Sequence, residues 1–126
     1  MIRDYFRVLV VDLGSGKVIG LGALLFDKYG HVDRPWDDPD QPLIFSIGPL
    51  TGLFPLMSKT VCSFKSPYHD QFAESHAGGR SALAIRFADF DALVIKGRAP
   101  RLSCLSLGMR HLEVKDVQFL AGKDVF

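Results

Sequence analysis

The chain has little charge of either sign to spare. Fifteen lysines and arginines against fourteen aspartates and glutamates leave a formal net charge of +1 over 126 residues. Its basic residues form no run. That balance excludes the usual nucleic-acid binder, whose affinity rests on an excess of cations that displaces counterions from phosphate. Cysteine is scarce: Cys62 and Cys104 stand far apart, with no CxxC pair and no histidine at ligand spacing. Neither a zinc motif nor a disulfide framework is written here, and two reduced thiols in a cytoplasmic protein are the reading. Long apolar runs are missing, since none approaches the ~20 residues that cross a bilayer. No basic segment followed by an apolar core opens the chain, as it would in a secretory signal. What is there, 48% hydrophobic and 23% charged residues, suits a soluble globular protein with one domain over 1–126.

Along the chain, "YFRVLVVDLGSGKVIG" reads as a hairpin. Its first arm is β-branched and aromatic, and Gly14-Ser15-Gly16 can take the positive φ angles of a tight turn. "LGALLFDKYG" is too short and too evenly apolar to assign to helix or strand. "HVDRPWDDPDQP" is a surface loop, because prolines remove donors and carboxylates need water. "LIFSIGPLTG" reads as a buried strand entering a Gly-Pro turn, and Lys59 to Phe64 as another strand. A short helix is expected from about Ser81 to Ala88, capped by Ser75 or the Gly-Gly region. "DALVIKG" is a short apolar strand, and "RLSCLSL" reverses through "LGMR" into "HLEVKDV". The sum is an α+β fold: about six strands in a mostly antiparallel sheet platform, with one or two short helices.

Most candidate chemistry reduces to structure. Gly14-Ser15-Gly16-Lys17 lacks the GxxxxGK[ST] spacing that wraps amides around a polyphosphate, and it lies between two strands. Asp37, Asp38 and Asp40 have no glycine or terminal glutamate at calcium-loop spacing. Ser75 and His76 are adjacent but have no GxSxG elbow, and His69 and His76 are spaced too loosely for a metal motif.

One stretch stands apart, "KSPYHDQFAESHAGGR", Lys65 to Arg80. It reads as a strand end, a polar loop, then Ala77-Gly78-Gly79 leading into the helix. Glycines let a ligand approach the backbone, amides at a helix start point at anions, and Lys59, Lys65 and Arg80 can supply charge. A polar turn that merely reverses the chain reads equally well from these residues.

In order and spacing, "RVLVVDLGSGKV", "PLIFSIGPLTG", "KSP", "HAGGR", "DALVIKGRA" and "AGKD" together resemble the N-terminal domain of the tungsten-containing aldehyde ferredoxin oxidoreductases. The resemblance covers nearly the whole chain. It implies a sheet platform under a tungsten (or molybdenum) bis-molybdopterin cofactor with magnesium. It also implies aldehyde oxidation, with electrons leaving through a [4Fe-4S] cluster to ferredoxin. By resemblance, Lys59 stands where the family carries an arginine reaching the pterin. His76 replaces an asparagine whose main-chain carbonyl helps hold magnesium, and Ala77, Gly78 and Gly79 form the backbone against the cofactor.

The departures matter as much. Lysine keeps the cation but loses the planar fork of arginine. By the same resemblance, about twenty residues of the family have no counterpart after Val18. The chain stops at "AGKDVF", where the family's domain continues, and two cysteines cannot hold a four-iron cluster by themselves. The resemblance therefore implies a cofactor-facing domain or subunit, not catalytic alone. Cluster ligands would lie on a missing domain or a partner subunit, and an exposed sheet edge would favour a homo-oligomer. The alternative is a non-enzymatic assembly or interaction protein that kept the fold and lost the cofactor. Neither membrane nor nucleic acid is an expected partner.

Overall fold

The computed structural model describes residues 10–12, 17–19, 21–109 and 111–124. β1 (Val10–Asp12) and β2 (Lys17–Ile19) pair antiparallel, with Val11 opposite Val18. The expected hairpin pairing is present at these residues, while Tyr5 to Leu9 of its first arm and Gly14, Ser15 and Gly16 lie outside the described residues.

The segment that sequence left undecided is a helix, α1 (Leu21–Tyr29). It buries Gly22, Leu25 and Phe26, spaced three and one apart, which is one face of a 3.6-residue turn. That face packs on a four-stranded sheet of β3 (Leu43–Ile47), β4 (Lys59–Lys65), β5 (Phe72–Gly78) and β6 (Ala92–Ile95), in spatial order β5-β4-β3-β6. Every neighbouring pair is antiparallel. α2 (Ser81–Phe87) carries the chain from one edge strand, β5, to the other, β6.

Period-two alternation on β3 divides the core between the two faces of the sheet. Ile44 packs with Leu25 and Phe26 of α1, joined by Leu21, Tyr29, Ala92 and Val94. Ile47, of opposite parity, packs with Ala82 and Ile85 of α2, joined by Phe45, Phe90 and Leu107. Leu107 comes from β7 (Ser103–Gly108), which pairs with β8 (His111–Asp116) in the expected C-terminal hairpin.

Two contacts fix the helices. A Cβ on Gly22 would lie 2.3 Å from Ser63 Oγ and 3.1 Å from Ser46 Oγ, so only glycine lets α1 sit this close to the sheet. At the end of α2, Arg86 Nη1 donates to Asp91 Oδ1 at 2.6 Å, both side chains largely buried. Arg86 Nη2 reaches the carbonyl of Pro49 at 3.1 Å, tying helix, β6 and the Gly-Pro turn together.

The sequence expectation fails between Lys65 and Arg80. Instead of a polar loop, a tight turn at residues 66–71 leads into β5, a seven-residue strand paired with β4 along its full length. Its polar composition reflects an edge strand that is exposed at most positions, and strand formation follows from the ladder to β4 and not from apolar patterning. The cap differs too. Arg80 occupies the N-cap of α2 with no side-chain capping bond, and neither Ser75 nor Gly78 caps it.

Candidate functional site at the end of the β4–β5 ladder

The ladder between β4 and β5 sets Lys59 opposite Gly78, Thr60 opposite Ala77 and Val61 opposite His76. Lys59, the first residue of its strand, is thereby brought beside the Gly-Gly pair that follows it by nearly twenty residues. Alternation places Lys59, Val61, Ser63, His76, Gly78 and Glu74 on the face that carries α1. Thr60, Cys62, Ser75 and Ala77 take the other face, where Thr60 Oγ1 and Ser81 Oγ share a hydrogen bond of 2.8 Å.

The glycines have distinct reasons to be there. Among the described residues, chain neighbours aside, no atom lies within 4 Å of a Cβ built on Gly78 or Gly79, so the described structure leaves the backbone at this corner open to close approach. Gly79 has φ +102°, a left-handed conformation that strains other residues, and it turns the chain from β5 into α2. Lys59 and Arg80 are both exposed beside this corner. An accessible ammonium next to unobstructed backbone can hold an anionic or flat polar group.

His76 is exposed and already has a partner: its Nε2 lies 3.3 Å from Glu74 Oε2, two residues back on the same face. Sequence reading did not single out Glu74, although a carboxylate at i−2 on a strand always shares the face. Among the described residues no group of three or more histidine, cysteine, aspartate or glutamate side chains could hold a metal ion. A metal at this corner would thus depend on main-chain carbonyls, such as that of His76, and on the ligand's own groups. An accessible cation and open backbone fit the phosphate edge of a large cofactor; the Glu74 carboxylate beside them opposes it.

Lys65 does not join the site. It ends β4, six residues and roughly 20 Å of strand from Lys59, with its side chain 4% exposed. Its Nζ donates to the carbonyls of Val32 (2.8 Å) and Arg34, and lies 3.5 Å from Asp70 Oδ2. Asp70 Oδ1 in turn accepts from the Trp36 amide at 2.9 Å. The Lys-Ser-Pro stretch therefore staples the acidic loop to the sheet. Ser66 sets the next turn, accepting from the amides of Asp70 through its carbonyl and Tyr68 through Oγ. Cys62 and Cys104 are free thiols, the first part-buried on β4, the second exposed on β7; burial pushes the Cys62 thiol above its ordinary pKa. No helix among the described residues is long and apolar enough to cross a membrane.

Comparison with known proteins places the chain in a family. Residues 9–126 match the family described as aldehyde ferredoxin oxidoreductase, N-terminal domain. The chain is 31% identical to the tungsten-containing aldehyde ferredoxin oxidoreductase of Pyrococcus furiosus, over 98% of its own length and 20% of that protein. It is likewise 31% identical to the Thermococcus kodakarensis enzyme of that name, over 99% of this chain and 24% of that one. The latter alignment runs over 144 positions, more than the chain's 126 residues, whereas the Pyrococcus furiosus alignment runs over 125 and opens no such gap. Among solved structures, the active-site complex BamBC of benzoyl coenzyme A reductase with 1,5-dienoyl-CoA matches with a TM-score of 0.76 and 26% identity. That match covers 93% of this chain and 20% of that one. The chain thus spans about a fifth of the length of these relatives. With the same motifs in the same order and the same fold beneath them, the chain belongs to the aldehyde ferredoxin oxidoreductase family and corresponds to its N-terminal domain.

Proposed function

We propose that this chain is the cofactor-facing platform of an aldehyde ferredoxin oxidoreductase-like enzyme, carrying a tungsten (or molybdenum) bis-pterin group. The observation that carries the reading is the corner where exposed Lys59 pairs with Gly78, beside Gly79, with nothing among the described residues within 4 Å of either glycine's missing Cβ, chain neighbours aside. Lys59 would hold phosphate or a pterin edge as a point charge, Ala77 to Gly79 would lend backbone, and the His76 carbonyl would face magnesium. When bound, such a group supplies the two-electron oxidation of an aldehyde. The [4Fe-4S] cluster needs more thiolates than Cys62 and Cys104 supply. Its ligands would lie outside these 126 residues, on further domains or a partner subunit, with ferredoxin as the cytoplasmic electron acceptor. An apolar partner surface is consistent with the turn after β3, where Leu53, Phe54, Leu56 and Met57 are all at least half exposed.

Equilibrium dialysis of the purified chain against pterin cofactor released from a tungsten enzyme tests the proposal. Saturable binding that weakens roughly tenfold in Lys59→Met, the loss of one charge-assisted contact, supports it. No binding, or binding indifferent to Lys59, removes it. One observation favours a second reading, an assembly protein that kept the fold and lost the cofactor. Glu74 places a carboxylate on the cradle face and occupies His76, which repels phosphate; Glu74→Gln restoring affinity would assign the loss to that charge.

A further inference from the structure

Surface loops are ordinarily polar and mobile, but the one between α1 and β3, residues 30–42, is tied along its length. Gln41 Nε2 donates to the carbonyls of His31 (2.6 Å) and Arg34 (2.8 Å), and Gln41 Oε1 accepts from the His31 amide at 3.2 Å, closing the loop across its base. Asp38 Oδ1 accepts from the Asp40 amide at 2.8 Å, and the Pro39 carbonyl accepts from the Gly97 amide at 2.7 Å, which fixes the far arm. The Lys65 ammonium and the Asp70 carboxylate hold the crest at Val32, Arg34 and Trp36.

What this frame displays is aromatic. Trp36, the chain's single tryptophan, is 50% exposed, and Tyr68, in the turn that supplies Asp70, is 96% exposed. The Trp36 amide is bonded to Asp70, two residues from Tyr68, so both residues stand on one patch with exposed Val32. Aromatic residues on a preorganised frame lose little entropy on binding, and tryptophan and tyrosine are enriched among the contacts that dominate interfaces.

The surrounding charges select the occupant. Over residues 31–41 and 65–71 the chain carries five carboxylates against two cations, Arg34 and Lys65. Both cations are engaged, Lys65 on carbonyls and Asp70, Arg34 on Asp38 and Asp40. Asp33 and Asp37 are exposed, stand on either side of Trp36 in the chain, and form no ion pair among the described residues. A purely apolar partner would bury these carboxylates unpaired, and an anionic one would be repelled. A guanidinium suits both features, since it stacks on an indole face and donates in a fork to a carboxylate.

We infer that this loop is a docking surface for a partner protein that presents arginine, with Trp36 and Tyr68 as the contact rings and Asp33 and Asp37 as the counter-charges. It lies at the opposite end of β4 from Lys59, and the inference does not rest on the cofactor reading.

Because Trp36 is the single tryptophan, its emission reads the site without a label. The probe is the peptide Gly-Arg-Gly-Arg-Gly with blocked termini, titrated into the purified chain at low ionic strength. A saturable change in emission is expected, with a Kd on the order of 1 mM from a few exposed contacts. The same peptide with citrulline for arginine keeps the shape and loses the charge, and should bind roughly tenfold more weakly. Asp33→Asn with Asp37→Asn should raise the Kd about fivefold at an unchanged circular dichroism spectrum. Glu113→Gln, which removes an exposed carboxylate on β8, should leave it unaltered. The citrulline comparison uses the unaltered chain, so it decides even where the double variant fails to fold. No saturation up to about 10 mM overturns the inference. Equal affinity for the citrulline peptide does so too, by pointing to an uncharged occupant. An unchanged Kd in the double variant, or a Glu113→Gln effect of the same size, likewise overturns it, because the attraction would then not belong to this loop.

Discussion

Replacing Lys65 by methionine separates the structural lysine from the functional one. Methionine keeps the unbranched, apolar stem and deletes only the ammonium, so packing against the sheet is largely retained. Three interactions are lost: donation to the carbonyls of Val32 and Arg34, and the ion pair with Asp70 at 3.5 Å. A hydrogen bond from a charged donor contributes about 1.5 kcal/mol net at the low end, hence roughly 3 kcal/mol for two. The pair with Asp70, whose side chain is 53% exposed, adds well under 1 kcal/mol after solvent screening. Against this, relief of the buried charge returns several kcal/mol, most of it offset by the two carbonyls left unpaired at about 1–3 kcal/mol each, for a net return of roughly 1 kcal/mol.

The expected net loss is about 2 kcal/mol, or roughly 6–8 °C in Tm for a domain of this size. Differential scanning calorimetry reads it, and limited proteolysis should cut the freed loop between residues 31 and 41 sooner than in the parent. Pterin or phosphate binding at the far end of β4 should not change. Unaltered Tm would refute Lys65 as a staple. Lost ligand binding at unaltered stability would return it to the site and overturn the geometry argued above.

Gly22→Ala gains about 1 kcal/mol of helix propensity but drives a methyl to 2.3 Å from buried Ser63 Oγ. Overpacking of that kind costs about 1–3 kcal/mol, so urea denaturation should show net destabilisation, and added Ser63→Ala should recover part of it. The Arg34 guanidinium, hydrogen-bonded to Asp40 Oδ2 at 2.5 Å, holds that carboxyl below its usual range. A depressed folded pKa means that the contribution is present above the unfolded value of about 3.9 and lost as pH falls through the folded midpoint. A carbon-detected NMR titration should place Asp40 below the ordinary aspartate value, and Arg34→Gln should move it back towards that value. Because burial raises the thiol pKa of Cys62 while Cys104 is exposed, Ellman's reagent at pH 8 should modify Cys104 first; the reverse order would contradict the placement of β4.

What sequence revealed, and what it hid, follows from where the determining forces act. The strand at Leu43–Ile47 was legible because a central strand covered on both faces must be apolar, that at Ala92–Ile95 because a short edge packed under α1 keeps an apolar run, and the C-terminal hairpin because its residues alternate around a Gly turn. α2 was legible from Leu83, Ile85 and Phe87 with their intervening alanines. α1 was not, since its first six residues are evenly apolar and nine are too few to show a period; the buried set Gly22, Leu25 and Phe26 becomes visible only against the sheet. β5 was hidden for the opposite reason. An edge strand exposed at six of its seven positions looks like a loop, and only pairing with β4 makes it a strand. The role of Lys65 was equally invisible, because its partners are main-chain carbonyls more than thirty residues away.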